Sequence, residues 1–199
     1  MEPNNNPETA KTAAIIPAAG TGSRMGQKRA KQFLNIGERP LLALTLEAVQ
    51  HSHEFDAIVM VVPESDVDYC WKNIVEPLDD PRGLIQVIAG GDRRQDSVRL
   101  GLQATKGQFD LVLIHDGVRP FITETLIHRV LTEAKRCRAV ITGLPATDTI
   151  KEIGPGGVVL RTHLRGRMWM VQTPQVFRYD DLIRAHETAV KEQWEDVTD

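Results

Sequence analysis

The sequence predicts an α/β fold, a mostly parallel sheet flanked by helices, with a protruding β-hairpin arm. Three observations carry that expectation. Short β-branched runs alternate with helical patterns, the order that builds a sheet with right-handed helical crossovers. Two of the runs, AIVMVV at 57–62 and LVLI at 111–114, are continuously apolar, as strands buried on both faces are. Near 148–162 the alternation stops, and two β-prone runs flank Gly154-Pro155-Gly156-Gly157, a flexible hairpin tip. Together these describe a Rossmann-like sheet in a single domain over 13–199, with the arm at about 147–165.

In chain order, residues 1–12 are polar and read as a frayed tail. No apolar segment follows a positive start, so they are not a signal peptide. Strands are expected at 13–17, 57–62, 85–89, 111–115 and 139–143. Pro40 suits a first helical position, with Leu41, Leu42, Leu44, Ala48 and Val49 giving the apolar face. Ser65 is placed to cap a helix carrying Val67, Trp71, Ile74 and Val75. A short third helix is expected at 96–102. Thr123 is placed to cap a fourth, with Leu126, Ile127, Val130 and Ala134 inward. Residues 169–177 read as mixed extended structure around Pro174. A last helix at 180–191 turns Leu182, Ile183, Ala189 and Val190 inward.

Composition narrows function. Of 199 residues, 41% are hydrophobic and 26% charged, as in an ordinary globular domain. A net charge of −3 and only 5% aromatic residues argue against a nucleic-acid surface. No apolar run reaches the length that spans a bilayer. Cys70 and Cys137 lie far apart without metal-type spacing, and read as buried or half-buried free thiols of a cytoplasmic protein. His51 and His53 read as solvated residues at a helix end rather than a metal pair.

Against this background 15–32, IIPAAGTGSRMGQKRAKQ, stands out. A strand runs into Gly20 and Gly22 and then into a basic cluster. Between 10 and 37 there are five basic residues (Lys11, Arg24, Lys28, Arg29, Lys31) and no acid. Glycines after a strand let backbone N–H groups approach phosphate oxygens. On glycines alone the loop could be a dinucleotide turn or merely a tight connection. The segment after it is polar and basic rather than amphipathic, and the second strand ends without the ribose-binding acid. No Gly-Lys-Ser/Thr occurs either, so the loop reads as a triphosphate site held by charge.

Pro17-Ala-Ala-Gly-x-Gly-x-Arg-Met followed by Lys31-Gln32 resembles the signature of sugar nucleotidyltransferases, and more closely the 2-C-methyl-D-erythritol 4-phosphate cytidylyltransferase family. Gly90-Gly91-Asp92-x-Arg94-x-x-Ser97-Val98, His115-Asp116-x-x-Arg119-Pro120, Asp148-Thr149-Ile150-Lys151 and Thr173-Pro174-Gln175 resemble its later motifs, in family order over nearly the whole chain. The resemblance implies cytidylyl transfer from CTP to a polyol phosphate with loss of pyrophosphate. Both partners are anions, so fixed cations at the α-phosphorus are the main catalytic device. Arg24 and Lys31 are implied as those cations, Lys28 and Arg29 being weaker candidates; Ala30 stands where the family often has proline. Asp116, after a buried strand, is implied to hold Mg²⁺. His115 reads as packing beside the site rather than a base.

The resemblance further implies that cytosine is read by main-chain groups near Ala18, Ala19 and Gly91, helped by Asp92 and Ser97. Gly20 and Gly22 line the nucleotide. Gly117 and Val118 stand where the family has Ala-Ala/Ser beside the ribose. Thr149, Arg119 and Arg165 are implied to hold the acceptor, with Arg165 on its phosphate and Arg161 and Arg167 close by. In the resembled family such arms interlock in a homodimer and contribute to the partner's pocket, and the same is implied for this arm. Residues 195–199 resemble the start of a family segment that continues through a helix, a strand with an Ile-Lys-x-Thr motif and a final helix, so this chain is expected to be impaired. A ribitol 5-phosphate or other sugar nucleotidyltransferase, or an inactive nucleotide-binding relative, are the alternatives that the residues leave open.

Overall fold

The centre of the sheet is built from the apolar runs. The structure, a computed structural model, describes residues 10–20 and 30–194. Strand β1 (Thr12–Pro17) comes first. Next, β2 (Asn35–Ile36) turns at Gly37 onto β3 (Arg39–Pro40), and α1 (Leu41–His51) follows. Then come β4 (Ala57–Val62), α2 (Val67–Cys70) running into a π-helical turn at Trp71–Val75, β5 (Ile85–Ala89) and α3 (Arg94–Ala104). After β6 (Leu111–Ile114) stand α4 (Glu124–Ala134) and β7 (Ala139–Pro145). The arm pairs β8 (Lys151–Ile153) with β9 (Val159–Thr162). The described chain closes with β10 (Trp169–Arg178) and α5 (Tyr179–Lys191).

Six strands share one sheet in the order β5-β4-β1-β6-β10-β7. The first four are mutually parallel, and β10 is antiparallel to both its neighbours. Side chains alternate across the sheet. Ala14, Ile16, Ile58, Met60, Leu111 and Leu113 pack on the side of α1 and α4. Ile15, Val59, Val61, Val112 and Ile114 meet Val98 and Leu102 of α3 and Leu182 of α5 on the other. Both sides are covered by helices, so the central strands read as unbroken apolar runs. No helix among the described residues is long and apolar enough to cross a membrane.

Several expectations are corrected. Pro40 is extended (φ −60, ψ 145) and pairs with Asn35, so α1 begins one residue later; Leu41 N–H donates to Leu34 C=O at 2.8 Å. Ser65 does not cap a helix. It lies inside a tight turn, Glu64–Asp66, closed by Asp66 N–H on Pro63 C=O at 2.9 Å. Helix α3 starts at Arg94, two residues before the expected point, and α5 begins at Tyr179. Val190 is exposed, because it lies on the outer side of α5 from Leu182 and Ala189. Residues 169–177 belong to a full ten-residue strand, with a register shift between Gln172 and Gln175 where the cis Thr173–Pro174 bond sits. Cys137 is exposed rather than buried. Thr123 does cap α4, its side chain accepting the Leu126 N–H at 3.2 Å. The expected tail lies largely outside the described residues.

Leu113, fully buried under α1 and α4, and exposed Val190 give a contrast. Leu113→Ala is expected to lower stability in urea unfolding by about 2–5 kcal/mol. Val190→Ala is expected to change it by less than about 0.5 kcal/mol. Thiol labelling gives a second check: burial, with help from Asp66, pushes the Cys70 thiol up to about 12. Cys137 is therefore expected to label alone in the native protein, and Cys70 only on unfolding.

Candidate active site

Parallel pairing sends β1, β4, β5 and β6 in one direction, so their carboxyl ends open on one edge, where open α/β sheets hold ligands. Backbone bonds tie those ends together. Ala18 N–H donates to Val61 C=O at 2.7 Å, Gly90 N–H to Val62 C=O at 2.8 Å and Gly117 N–H to Pro17 C=O at 3.1 Å. The approach is close enough to require glycine. A Cβ on Gly90 would stand 2.4 Å from that of Ala19, and one on Gly117 would stand 2.8 Å from that of Ala18.

A cavity of about 290 Å³ opens on this edge. Ala18, Ala19, Gly20 and Lys31 line one side, and Gly91, Asp92 and Ser97 another, with Asp116 at the end of β6. Ser97 reaches back to the second loop, its hydroxyl accepting the Gly91 N–H at 3.2 Å. Gly117 packs beneath Ala18 rather than on the cavity wall. Lys31 and Val118 also line a second cavity of about 650 Å³. That one has an apolar wall of Leu41, Phe121, Ile122 and Leu126 and a polar side with Arg119, Gln172 and Thr173. Lys31 therefore stands on the border between the two. A further groove of about 540 Å³ lies against α5, between residues such as Phe177 and Ala189; it contains none of the predicted site residues.

Asp116 is held from both sides. Arg94 Nε donates to Oδ1 at 3.1 Å and Arg119 Nε to Oδ2 at 2.9 Å. The Arg119 guanidinium also donates to Gln172 Oε1. Behind them, His115 is 1% exposed and desolvation pulls its imidazole below the usual histidine range, with the Arg119 C=O and Asp116 acting against the shift. At the α3 N-terminus Arg93 pairs with Asp96 at 2.8 Å, and that hydrogen bond holds the Asp96 carboxyl below the usual range.

The carboxylates lining the first cavity are Asp92 and Asp116. Among the described residues no group of three or more His, Cys, Asp or Glu could cage a metal ion. That donor set fits Mg²⁺ arriving on substrate phosphates, which takes one or two protein carboxylates and fills its shell with phosphate oxygens and water.

Most expected site residues thus converge. Thr149 and Arg165 do not. Both sit at the base of the arm, exposed, with Arg165 Nη1 donating to Thr147 C=O at 3.0 Å, and neither lines the two cavities of its own chain. Gly22 and Arg24 lie outside the described residues. Two participants were missed as site residues. Arg94 stood in a quoted motif, but its partner is twenty-two residues on. Gln32 is buried, and its amide donates to Ala18 C=O at 2.7 Å and Gly20 C=O at 3.1 Å, clamping the loop to the residue after Lys31.

A model of the 2-C-methyl-D-erythritol 4-phosphate cytidylyltransferase family matches residues 12–199. A relative of that name from Geobacter metallireducens is 41% identical over 184 residues, covering 91% of this chain and 78% of the relative. The crystal structure of 4-diphosphocytidyl-2C-methyl-D-erythritol synthase from Anaerococcus prevotii is similar with a TM-score of 0.82 at 34% identity. It aligns over 96% of this chain and 80% of that one. A Francisella tularensis structure named 2-C-methyl-D-erythritol 4-phosphate cytidylyltransferase has a TM-score of 0.77 at 26% identity, with 96% of this chain and 83% of that one covered.

The Gln32 clamp is directly testable. Gln32→Leu leaves two carbonyl oxygens without their donor, and is expected to cost about 1–3 kcal/mol in urea unfolding. Gln32→Glu is expected to do no better, because a carboxylate would face two acceptors.

Proposed function

This chain belongs to the 2-C-methyl-D-erythritol 4-phosphate cytidylyltransferase family, and on that premise we propose how its cleft carries out cytidylyl transfer. CTP occupies the 290 Å³ cavity, with cytosine against the main chain of 18–20 and Gly91. The small residues there let backbone donors and acceptors meet a pyrimidine edge while a purine is excluded by size. Asp92 and Ser97 support the second loop. The phosphate of the acceptor, 2-C-methyl-D-erythritol 4-phosphate, enters from the 650 Å³ side. One of its oxygens attacks the α-phosphorus; the bond to the bridging oxygen breaks and pyrophosphate leaves with that electron pair.

The observation that carries this reading is Lys31, shared by both cavities. An ammonium there faces the point where two anions must meet and where charge grows in the transition state. Arg24, close in sequence, supplies a planar fork for phosphate oxygens. Asp116, with Asp92 nearby, would hold Mg²⁺, which neutralises phosphate charge when bound. Arg94 and Arg119 keep the Asp116 carboxylate compensated beforehand. Arg119 then orients the acceptor.

The arm makes the protein a homodimer in this reading. Val158, Val159, Leu160 and Leu164 are exposed on it, and Phe121 at the second cavity is 86% exposed, apolar side chains that a second copy of the chain would cover. Thr149 and Arg165 then complete the partner's acceptor pocket, which accounts for their absence from their own. Free Cys70 and Cys137 support a cytoplasmic setting.

Pyrophosphate release from CTP and Mg²⁺ with a panel of polyol phosphates tests the reading, and methylerythritol phosphate is expected to be preferred. Lys31→Ala and Arg24→Ala are each expected to lower kcat by about 10²–10³-fold with a smaller change in CTP affinity. Full turnover in either variant would remove its transition-state role. Subunit sharing is tested by mixing. Lys31→Ala and Arg165→Ala chains, each inactive alone, are expected to recover about a quarter of wild-type activity when re-associated in equal amounts, since half the dimers then hold one intact site. No recovery would place Arg165 in its own chain's site, and an active Arg165→Ala chain would place it outside the site.

A further inference from the structure

The 116–119 turn carries two charged groups of the cleft, and a chain of hydrogen bonds crossing from β6 to β10 fixes its shape. The polarity of that chain follows from chemistry. His115 Nε2 lies 2.9 Å from the Arg119 carbonyl oxygen, which can only accept, so Nε2 carries the ring proton. In the neutral ring Nδ1 is then an acceptor, and Thr173, 3.1 Å away, donates its hydroxyl proton to it. The same hydroxyl oxygen accepts the Asp116 N–H at 3.2 Å. Proton donation therefore runs in one direction, from the Asp116 N–H through Thr173 and His115 to the Arg119 C=O. The turn is also closed by Arg119 N–H on Asp116 C=O at 3.1 Å.

Both ring nitrogens of His115 are engaged, so the imidazole has no free position for a reacting proton. Its partners are the far end of the turn, at the Arg119 carbonyl, and one side chain of the antiparallel strand, Thr173, which in turn holds the near end at the Asp116 N–H. The residue next to Thr173, Gln172, receives the Arg119 guanidinium. Residues 172 and 173 of β10 thus grip the turn twice, at its backbone and at its arginine.

We propose that His115 and Thr173 are a positioning pair: the one-way hydrogen-bond chain through them sets how Asp116 and Arg119 face the cleft, and so governs the rate of cytidylyl transfer. The inference rests on the roles proposed above for Asp116 and Arg119. Outer partners of this kind typically influence activity by about 10–100-fold.

Two measurements test it. In the wild-type protein, a long-range ¹⁵N–¹H spectrum of the histidine rings is expected to place the His115 proton on Nε2, with Nδ1 as a hydrogen-bonded acceptor. A proton found on Nδ1 alone overturns the proposal whatever the activity. In kinetics, Thr173→Val keeps the shape and removes the hydroxyl. It is expected to lower kcat about 10–100-fold while the KM for CTP changes far less. Thr173→Ser restores the hydroxyl and is expected to recover kcat to within about three-fold. His115→Phe combined with Thr173→Val is expected to be no slower than the slower single variant, because one chain is broken in each. Wild-type kcat in Thr173→Val, or failure of serine to rescue, overturns the proposal. Absence of cytidylyl transfer in the wild type would instead strike the functional reading, and the tautomer spectrum would still decide the hydrogen-bond chain.

Discussion

The cleft exists because β1 is paired in parallel on both edges. With β4 on one side and β6 on the other, three chain segments leave the sheet at the same end within a few ångströms. The glycines at 90 and 117 record how tight that convergence is, since an added methyl at either would overlap the alanines of the first loop. Residues 18–20, 91–97 and 116–119 are brought together by the ladder beneath them, and the covered sides of the sheet hold that ladder rigid.

Electrostatics at this edge are arranged before any ligand arrives. Asp116 stands at the end of β6, and two arginines from different elements flank it. A phosphate-rich ligand entering such a cleft would meet cations that already have a fixed geometry and a carboxylate whose charge is balanced. The arginines do not have to be reorganised from water at the moment of reaction, which is where preorganised sites gain most of their advantage. Lys31 lies beyond this triad, at the border of the two cavities, and it follows Ala30 at the start of a short 3₁₀ turn whose next residue is the Gln32 clamp.

Much of this was legible in the chain, for identifiable reasons. The unbroken apolar runs of β4 and β6 are short and β-branched, which suits strands covered on both sides, and β4 has the predicted ends. The glycine loop and its lysine were legible because few other patterns bring backbone amides and cations together. β10 was not legible as a strand of the sheet. Pro174 interrupts its pattern, and its antiparallel insertion between β6 and β7 is decided by pairing partners far away in sequence. Arg94 was legible as part of a motif but not as a partner of Asp116, because a salt bridge between a helix start and a strand end leaves no spacing signal. Val190 and Pro40 were misassigned for a local reason: periodicity and ring geometry each permit two neighbouring answers, and packing chooses between them.

The proposed transfer depends most on where the α-phosphorus of CTP comes to rest, so a crystal structure of the protein with Mg²⁺ and CTP tests it most directly. Cytosine is expected against the main chain of 18–20 and Gly91, and the α-phosphate facing the Lys31 ammonium at the passage to the second cavity. A nucleotide bound with its triphosphate pointing away from Lys31 and Asp116, or seated in the groove against α5, would contradict it.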